Sequence, residues 1–328
     1  MMKLNKRFGA FLLVILMLMM AMVGCSEVEK GEVTWKPNGG DPNVESQPTA
    51  APDKIVTFGA YPNKEADAKI ASVLKNNVRI DADTGVWTEY ENETEKDGVV
   101  TVVTARYDLQ TGYYVYTETV DGVVKTENRY AEEKGKFFVV EAISWVILEE
   151  RNDCYVLIAQ DILDAGYRFL DAYTSSTWKE SSVRDWLNGT DTYAKGGEDY
   201  VEQWNFIDRA FSQSELTKIK NSVVTTKDNG YGVAGGGETT DRVYLLSGEE
   251  VVAYFKDMTA QSGGTPYALH KGLNAVKNQG IWWLRSPGIN TFFQGVDRNG
   301  DVSEGGYVST STDIGIRPVI CVSKNAFQ

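Results

Sequence analysis

Trp282-Trp283-Leu284-Arg285-Ser286-Pro287-Gly288 and Gly315-Ile316-Arg317-Pro318-Val319-Ile320 follow one plan: apolar residues, an Arg, then Pro. Short apolar runs closed by a turn residue read as core strands, here each with an Arg near one end. On a strand, Trp282 and Trp283 point to opposite faces. Trp282 is assigned to the core. Trp283 either packs as well or offers an exposed ring on which a sugar stacks. Arg285 and Arg317 read as structural, paired with a carboxylate or with backbone carbonyls, and Glu141 and Glu180 are the carboxylates considered. Capture of an anion by an Arg fork is the other use of such a pair.

The chain upstream supplies more strands than helices. Ile55–Pro62 reads as a short strand, and Lys64–Asn76 carries a weak helical pattern. Val86–Tyr130 is rich in β-branched and aromatic residues and contains Asp97-Gly98 and Asp121-Gly122, so an antiparallel meander is predicted. The apolar runs Lys136–Leu148 and Cys154–Ala159, joined by a short charged link, read as a buried hairpin with Trp145 in the core. Ser175–Leu187 is predicted to be a helix capped by Ser175 or Ser176. It buries Trp178, Val183, Trp186 and Leu187 and stops at Asn188-Gly189. Ser212–Ile219 opens with a capping box, and Ser247 caps a helix with Glu249 and Glu250 in its first turn. Val223–Asp241 is read as a Gly-rich mobile loop, with no match to a phosphate-binding loop.

The first 24 residues have the form of an export signal. Lys3, Lys6 and Arg7 precede an uncharged apolar run, Phe8–Val23. As a helix that run would cover roughly 24 Å, short of the roughly 30 Å hydrocarbon core, which favours a cleaved signal. The run ends Met22-Val23-Gly24-Cys25, which resembles a bacterial lipobox and implies cleavage after Gly24 and a lipid on Cys25. Residues 25–52 are polar and rich in Pro, Gly and Ser, a flexible tether. Residues 53–328 are then a single globular domain, with a β-rich part at 53–135 and a core part at 136–328. The formal net charge is −13, and loss of the signal's three cations makes it −16. Such a surface repels nucleic acid and tolerates neutral sugars, cations and basic peptides. With three cysteines and one histidine, His270, a zinc site and a Ser-His-Asp triad have little to be built from.

Seven blocks in order resemble a bacterial family of extracellular domains of unknown function (number 6273). They are Phe58–Pro62, Val140–Leu148, Trp178–Asn188, Ala210–Ser212 with Glu215 and Ile219, Val243–Ser247 with Glu250 and Tyr254-Phe255, Trp282–Gly288, and Gly315–Pro318. The Trp-Leu-Arg-Ser and Gly-Ile-Arg-Pro ends also look like the C-type-lectin-like fold of sulfatase-activating-type domains. That resemblance implies an α+β domain of antiparallel strands, two to four helices and a large irregular loop region, with the first and last strands paired. Cys154 and Cys321 then fall on core strands, either as a disulfide or as two buried free thiols. The sulfatase-activating activity is not carried over, because it needs a Cys pair near the end of the domain and only Cys321 stands there.

Two loops are predicted to carry the site, Gly288–Gly295 and Asp297–Gly306. Two adjacent Phe in a Gly-bounded loop suggest an exposed contact. The ligand-binding residues expected are Trp283, Phe292, Phe293, Gln294, Arg298 and Tyr307. No cofactor is expected. Calcium is a minor possibility at Asp297–Glu304, which is better explained as a hairpin turn at Asn299-Gly300. The expected function is that of a membrane-anchored surface lipoprotein binding a glycan, a cell-wall fragment or a protein without catalysis. An envelope polysaccharide hydrolase using a carboxylate pair and a structural spacer are the alternatives.

Overall fold

The apolar run Lys136–Glu150 forms the strand on which the other elements are hung. The computed structural model describes residues 55–172, 175–189, 204–256 and 258–327. The expected signal peptide, tether and lipid site at Cys25 lie outside the described residues. In chain order the strands are β1 (Ile55–Glu65), β2 (Tyr90–Lys96), β3 (Val99–Asp108), β4 (Tyr113–Val120), β5 (Val123–Glu133), β6 (Lys136–Glu150), β7 (Cys154–Ala159), β8 (Ile219–Lys220), β9 (Ser222–Thr226), β10 (Gly237–Asp241), β11 (Val243–Tyr244), β12 (Ala275–Val276), β13 (Gln279–Gly280), β14 (Trp282–Pro287), β15 (Phe292–Val296), β16 (Val302–Val308) and β17 (Val319–Ser323). The helices are short: α1 (Ala68–Asn77), α2 (Ser182–Asn188), α3 (Phe206–Ala210), α4 (Gln213–Leu216), α5 (Gly248–Tyr254) and α6 (Pro266–His270).

Ten strands make one sheet in the order β11-β17-β7-β6-β5-β4-β3-β2, with β1 also on β6 and β8 also on β17. β6 pairs with β5 at its start, β1 through its middle and β7 at its end, all antiparallel. β6 sends Phe137 into the smaller core under the meander and Phe138, Trp145 and Leu148 into the main core, so one strand joins the two. β14, β15 and β16 form a separate three-stranded sheet. The main core runs from Trp145 and Ile158 through Trp178 and Trp186 to Trp282, Trp283 and Ile316. A smaller core under the meander holds Leu74, Val103, Tyr116 and Phe137.

The expected α+β, C-type-lectin-like class is corrected. Among the described residues the structure is mostly antiparallel β, 46% strand against 17% helix. Its first strand, β1, pairs with β6, whereas the last, β17, pairs with β7, β8 and β11. Strong caps placed close together keep the helices short. The long helix expected at Ser175–Leu187 is a single 3-10 turn at Trp178–Glu180, a break, and then α2. Ser181, not Ser175 or Ser176, accepts from the Arg184 amide and starts α2, and Gly189 ends it in a left-handed conformation. The stretch read as a mobile Gly-rich loop folds at both ends into a hairpin, with Gly237 opposite Thr226 and Asp241 opposite Ser222. Phe292 and Phe293, expected in a loop, start β15 instead.

Gly59 is required as glycine. It takes φ +68 at a bulge in β1, and a Cβ there would stand 2.5 Å from the Phe211 ring. The Phe58 carbonyl beside it accepts a 2.7 Å bond from the Trp145 indole, which locks the bulge onto β6.

Candidate functional site: an acidic cleft at the junction of β1 and β6

A shallow cleft opens where β1 and β6 pair, with Tyr61 opposite Glu141 and Ala60 opposite Ala142. Its walls are Tyr61–Asn63 from β1, Glu141–Ser144 from β6, Asp161 and Leu163 from the segment after β7, and Thr265 at the start of α6. The cavity volume is about 40 Å³. That admits a few waters or one small polar group, and is far below the roughly 300–1,000 Å³ of pockets that enclose a whole small molecule.

Behind the Tyr61 wall, bonded to its hydroxyl, lies a buried ion pair. Lys271 Nζ lies 2.7 Å from Asp164 Oδ1, with both side chains at most 1% exposed. Tyr61 donates its hydroxyl to Asp164 Oδ2 at 2.5 Å, and the Ala165 amide donates to Oδ1 at 2.7 Å. Lys271 also donates to the Tyr167 hydroxyl at 3.0 Å and lies 4.2 Å from that ring's centre. Burial, reinforced by the Asp164 charge, pushes the Tyr61 hydroxyl well above the ordinary tyrosine range. Tyr61 is therefore a fixed donor here, and the cluster is a rigid support for the cleft wall.

Asp161 differs from Asp164. No hydrogen bond or ion pair among the described residues engages its carboxylate. Burial raises its pKa, and the positive charge of Arg317 pulls the other way without cancelling the shift. Arg317 is committed elsewhere. It donates from Nε to Ala159 O at 2.9 Å, from Nη1 to Ala260 O at 3.3 Å and from Nη2 to Gln160 O at 3.2 Å, and its guanidinium sits 5.0 Å from the Trp282 ring centre. Burial pushes its pKa down to about 10. Glu141 adds a second carboxylate, exposed at the rim, and Ser144 a half-buried hydroxyl. The cleft thus offers acceptors without cations, which suits a ligand bringing hydroxyl or ammonium donors.

A carboxyl whose pKa is higher folded than unfolded costs stability where it must be ionised. The cost of Asp161 is present above its folded pKa and disappears as pH falls below the unfolded value. Asp161→Asn is therefore expected to raise the melting temperature at neutral pH, with the gain vanishing in acid. Thermal melts of both proteins from pH 3 to 7 check this (roughly the range over which a carboxyl titrates).

The residues predicted from sequence as the ligand surface lie on the β14–β16 sheet, and packing has taken two of them. Trp283 is fully buried between Phe169 and Tyr307, its ring centre 5.3 and 6.3 Å from theirs. Phe293 is 1% exposed and stacks on Phe169 at 3.8 Å. Neither presents a ring to solvent, because both faces of β14 and one face of β15 are covered. Phe292, Gln294, Arg298 and Tyr307 are half-buried. Arg298 donates to the Asn274 side chain. Asp297 Oδ1 accepts from the Asn299 and Asp301 amides, so this carboxylate caps a turn. Among the described residues no group of three or more His, Cys, Asp or Glu converges as metal ligands do.

Trp145, Trp186 and Trp282 are buried, and so are Arg285 and Arg317. Their partners differ from those considered. Arg285 forms a fork on Glu250, with Nη1 to Oε2 at 2.5 Å and Nη2 to Oε1 at 2.7 Å, and it also donates to the Leu245 and Thr225 carbonyls. Arg317 uses carbonyls, and neither Glu141 nor Glu180 pairs with these arginines. Glu180 instead accepts from Thr177 in the turn before α2.

Asp161 was not singled out from sequence. It follows β7 in a Gln-Asp-Ile-Leu stretch with no motif, and only the fold brings it to Tyr61 and Glu141. One signal was present: Phe58–Pro62 and Val140–Leu148, two of the blocks quoted above, turn out to be the paired walls.

The model of a family described as "Domain of unknown function (DUF6273)" matches residues 152–324, more than half of the chain. The two wall blocks just named lie outside that match. No curated protein and no solved structure matches.

Proposed function

The chain belongs to this family of domains of unknown function, and from that premise we propose that it is a lipid-anchored extracytoplasmic protein whose domain binds a ligand without transforming it. The observation that carries the proposal is the Asp161 carboxylate, half-buried and unbonded in a cleft too small to enclose a substrate. A carboxylate held at a cost to stability points to a partner that repays that cost on binding. The ligand is a glycan or cell-wall fragment lying across the surface, with one hydroxyl or ammonium group entering the cleft. Phosphate-rich nucleic acid is disfavoured by the net charge of −13. Half-buried Phe292 and Tyr307 remain available as a secondary contact.

A glycan array and cell-wall pull-down with the exported protein tests the reading. The expected result is retention of a hydroxyl- or amine-bearing glycan that is recovered intact. Recovery of shortened products would replace binding with hydrolysis. That second reading has one observation in its favour: Asp161, with its raised pKa, shares the cleft with Glu141, as a general acid beside a second carboxylate would. The small cavity weighs against it.

The anchor rests on the Gly24-Cys25 junction. Among the described residues no helix is long and apolar enough to cross a membrane. Two or more acyl chains on Cys25 would hold the protein stably at about 0.8 kcal/mol per buried methylene. Cys25→Ala is expected to abolish fatty-acid labelling and move the protein out of the membrane fraction. Unchanged labelling would exclude Cys25 as the site.

A further inference from the structure

Cys154 opens β7 and Cys321 lies at the centre of β17. The strands pair antiparallel, with Ser323 opposite Cys154 and Cys321 opposite Val156, so the two cysteines are diagonal neighbours on one face. Their sulfur atoms are 2.8 Å apart, and the residues are 4% and 3% exposed. Two sulfurs this close are nearer than unbonded sulfurs pack, and within about 0.8 Å of the roughly 2.05 Å bond.

We infer that Cys154 and Cys321 are joined by a disulfide in the exported protein, formed by exchange with a small-molecule or protein disulfide. One cysteine thiolate attacks a sulfur of the donor, giving a mixed disulfide and releasing one donor thiolate. The second cysteine thiolate displaces the remaining donor sulfur. The two protein thiols lose two electrons, the donor is reduced to two thiols, and the two protons end on those thiols. Burial and the neighbouring Cys154 push the Cys321 thiol up to about 12. Thiolate is therefore scarce once β17 has docked, so the exchange belongs to folding. The finished bond is then shielded from reductants.

The loop it closes, from 154 to 321, begins two residues after the family match starts and ends three before it stops. The bond would lock the last strand of the family domain onto its first. The inference takes its oxidising surroundings from the export reading, whereas the sulfur geometry is independent of it.

The test uses the full-length chain with its own N-terminus. Envelope-fraction protein is denatured in N-ethylmaleimide, digested and mass-analysed. A linked pair of peptides containing Cys154 and Cys321, separated by dithiothreitol, is the expected result. The native oxidised protein should also melt roughly 5–15 °C above the reduced form. The Cys154→Ala/Cys321→Ala variant should show no such redox-dependent shift. Finding both cysteines alkylated before reduction in envelope protein would overturn the inference. If the chain is recovered from the cytosol instead, the export reading fails and the geometry is decided by refolding the purified chain with glutathione disulfide. Formation of the 154–321 bond there supports the inference, and free thiols or glutathione adducts overturn it.

Discussion

Asp164→Asn is expected to cost about 3–5 kcal/mol of folding stability, the range seen when one partner of a buried ion pair is removed. The change preserves shape and leaves an oxygen for the Tyr61 hydroxyl and the Ala165 amide. It removes the charge facing Lys271, whose side chain is 1% exposed and cannot reach water. An uncompensated ammonium in that position is the source of the loss. Against total stabilities of about 5–15 kcal/mol, this is a large fraction. Urea denaturation measures it, and a change below about 1 kcal/mol would show that the pair is not desolvated as described. Adding Lys271→Met should recover part of the loss, since the double variant leaves no orphaned charge. The same experiment probes the cleft, because Tyr61 joins its wall to this pair.

The second large effect is at Trp283. Its replacement by Ala should cost about 3–5 kcal/mol, as for a fully buried Trp. The cavity would open between Phe169 and Tyr307 at the edge of the main core. Trp283→Phe should cost much less. The retained ring keeps part of that packing, and the indole N–H has no hydrogen-bond partner among the described residues to lose. Denaturant midpoints of the two variants give the comparison. A stable Trp283→Ala protein that had lost glycan binding would instead restore Trp283 as a surface platform.

Trp283 also shows where sequence reasoning stops. The alternation of a strand says that Trp282 and Trp283 face opposite ways. It does not say that Phe169 lies waiting on the second face, over a hundred residues earlier in the chain. Short-range features were legible for this reason: the β6–β7 hairpin, the capping box at Ser212, the cap at Ser247 and the stop at Gly189 are set by neighbours in sequence. The fold class was misjudged because the Trp-Leu-Arg-Ser and Gly-Ile-Arg-Pro ends are local features, whereas how the strands between and before them pair is not. The pairing of β1 with β6, across some eighty residues, likewise has no local signature. Asp161 was invisible for the same reason. What marks it is the lack of a bonded partner at a place where four segments meet, and that property exists only in the folded chain.

The most direct test is the affinity of the protein for the glycan retained in the screen, measured for wild type and Asp161→Asn at neutral pH. A charge-assisted hydrogen bond is worth about 1.5–3 kcal/mol, so the variant should bind roughly 10- to 100-fold more weakly while melting at a higher temperature. Equal affinity in a folded Asp161→Asn protein would contradict the cleft as the binding site and return attention to Phe292 and Tyr307 on the β14–β16 sheet.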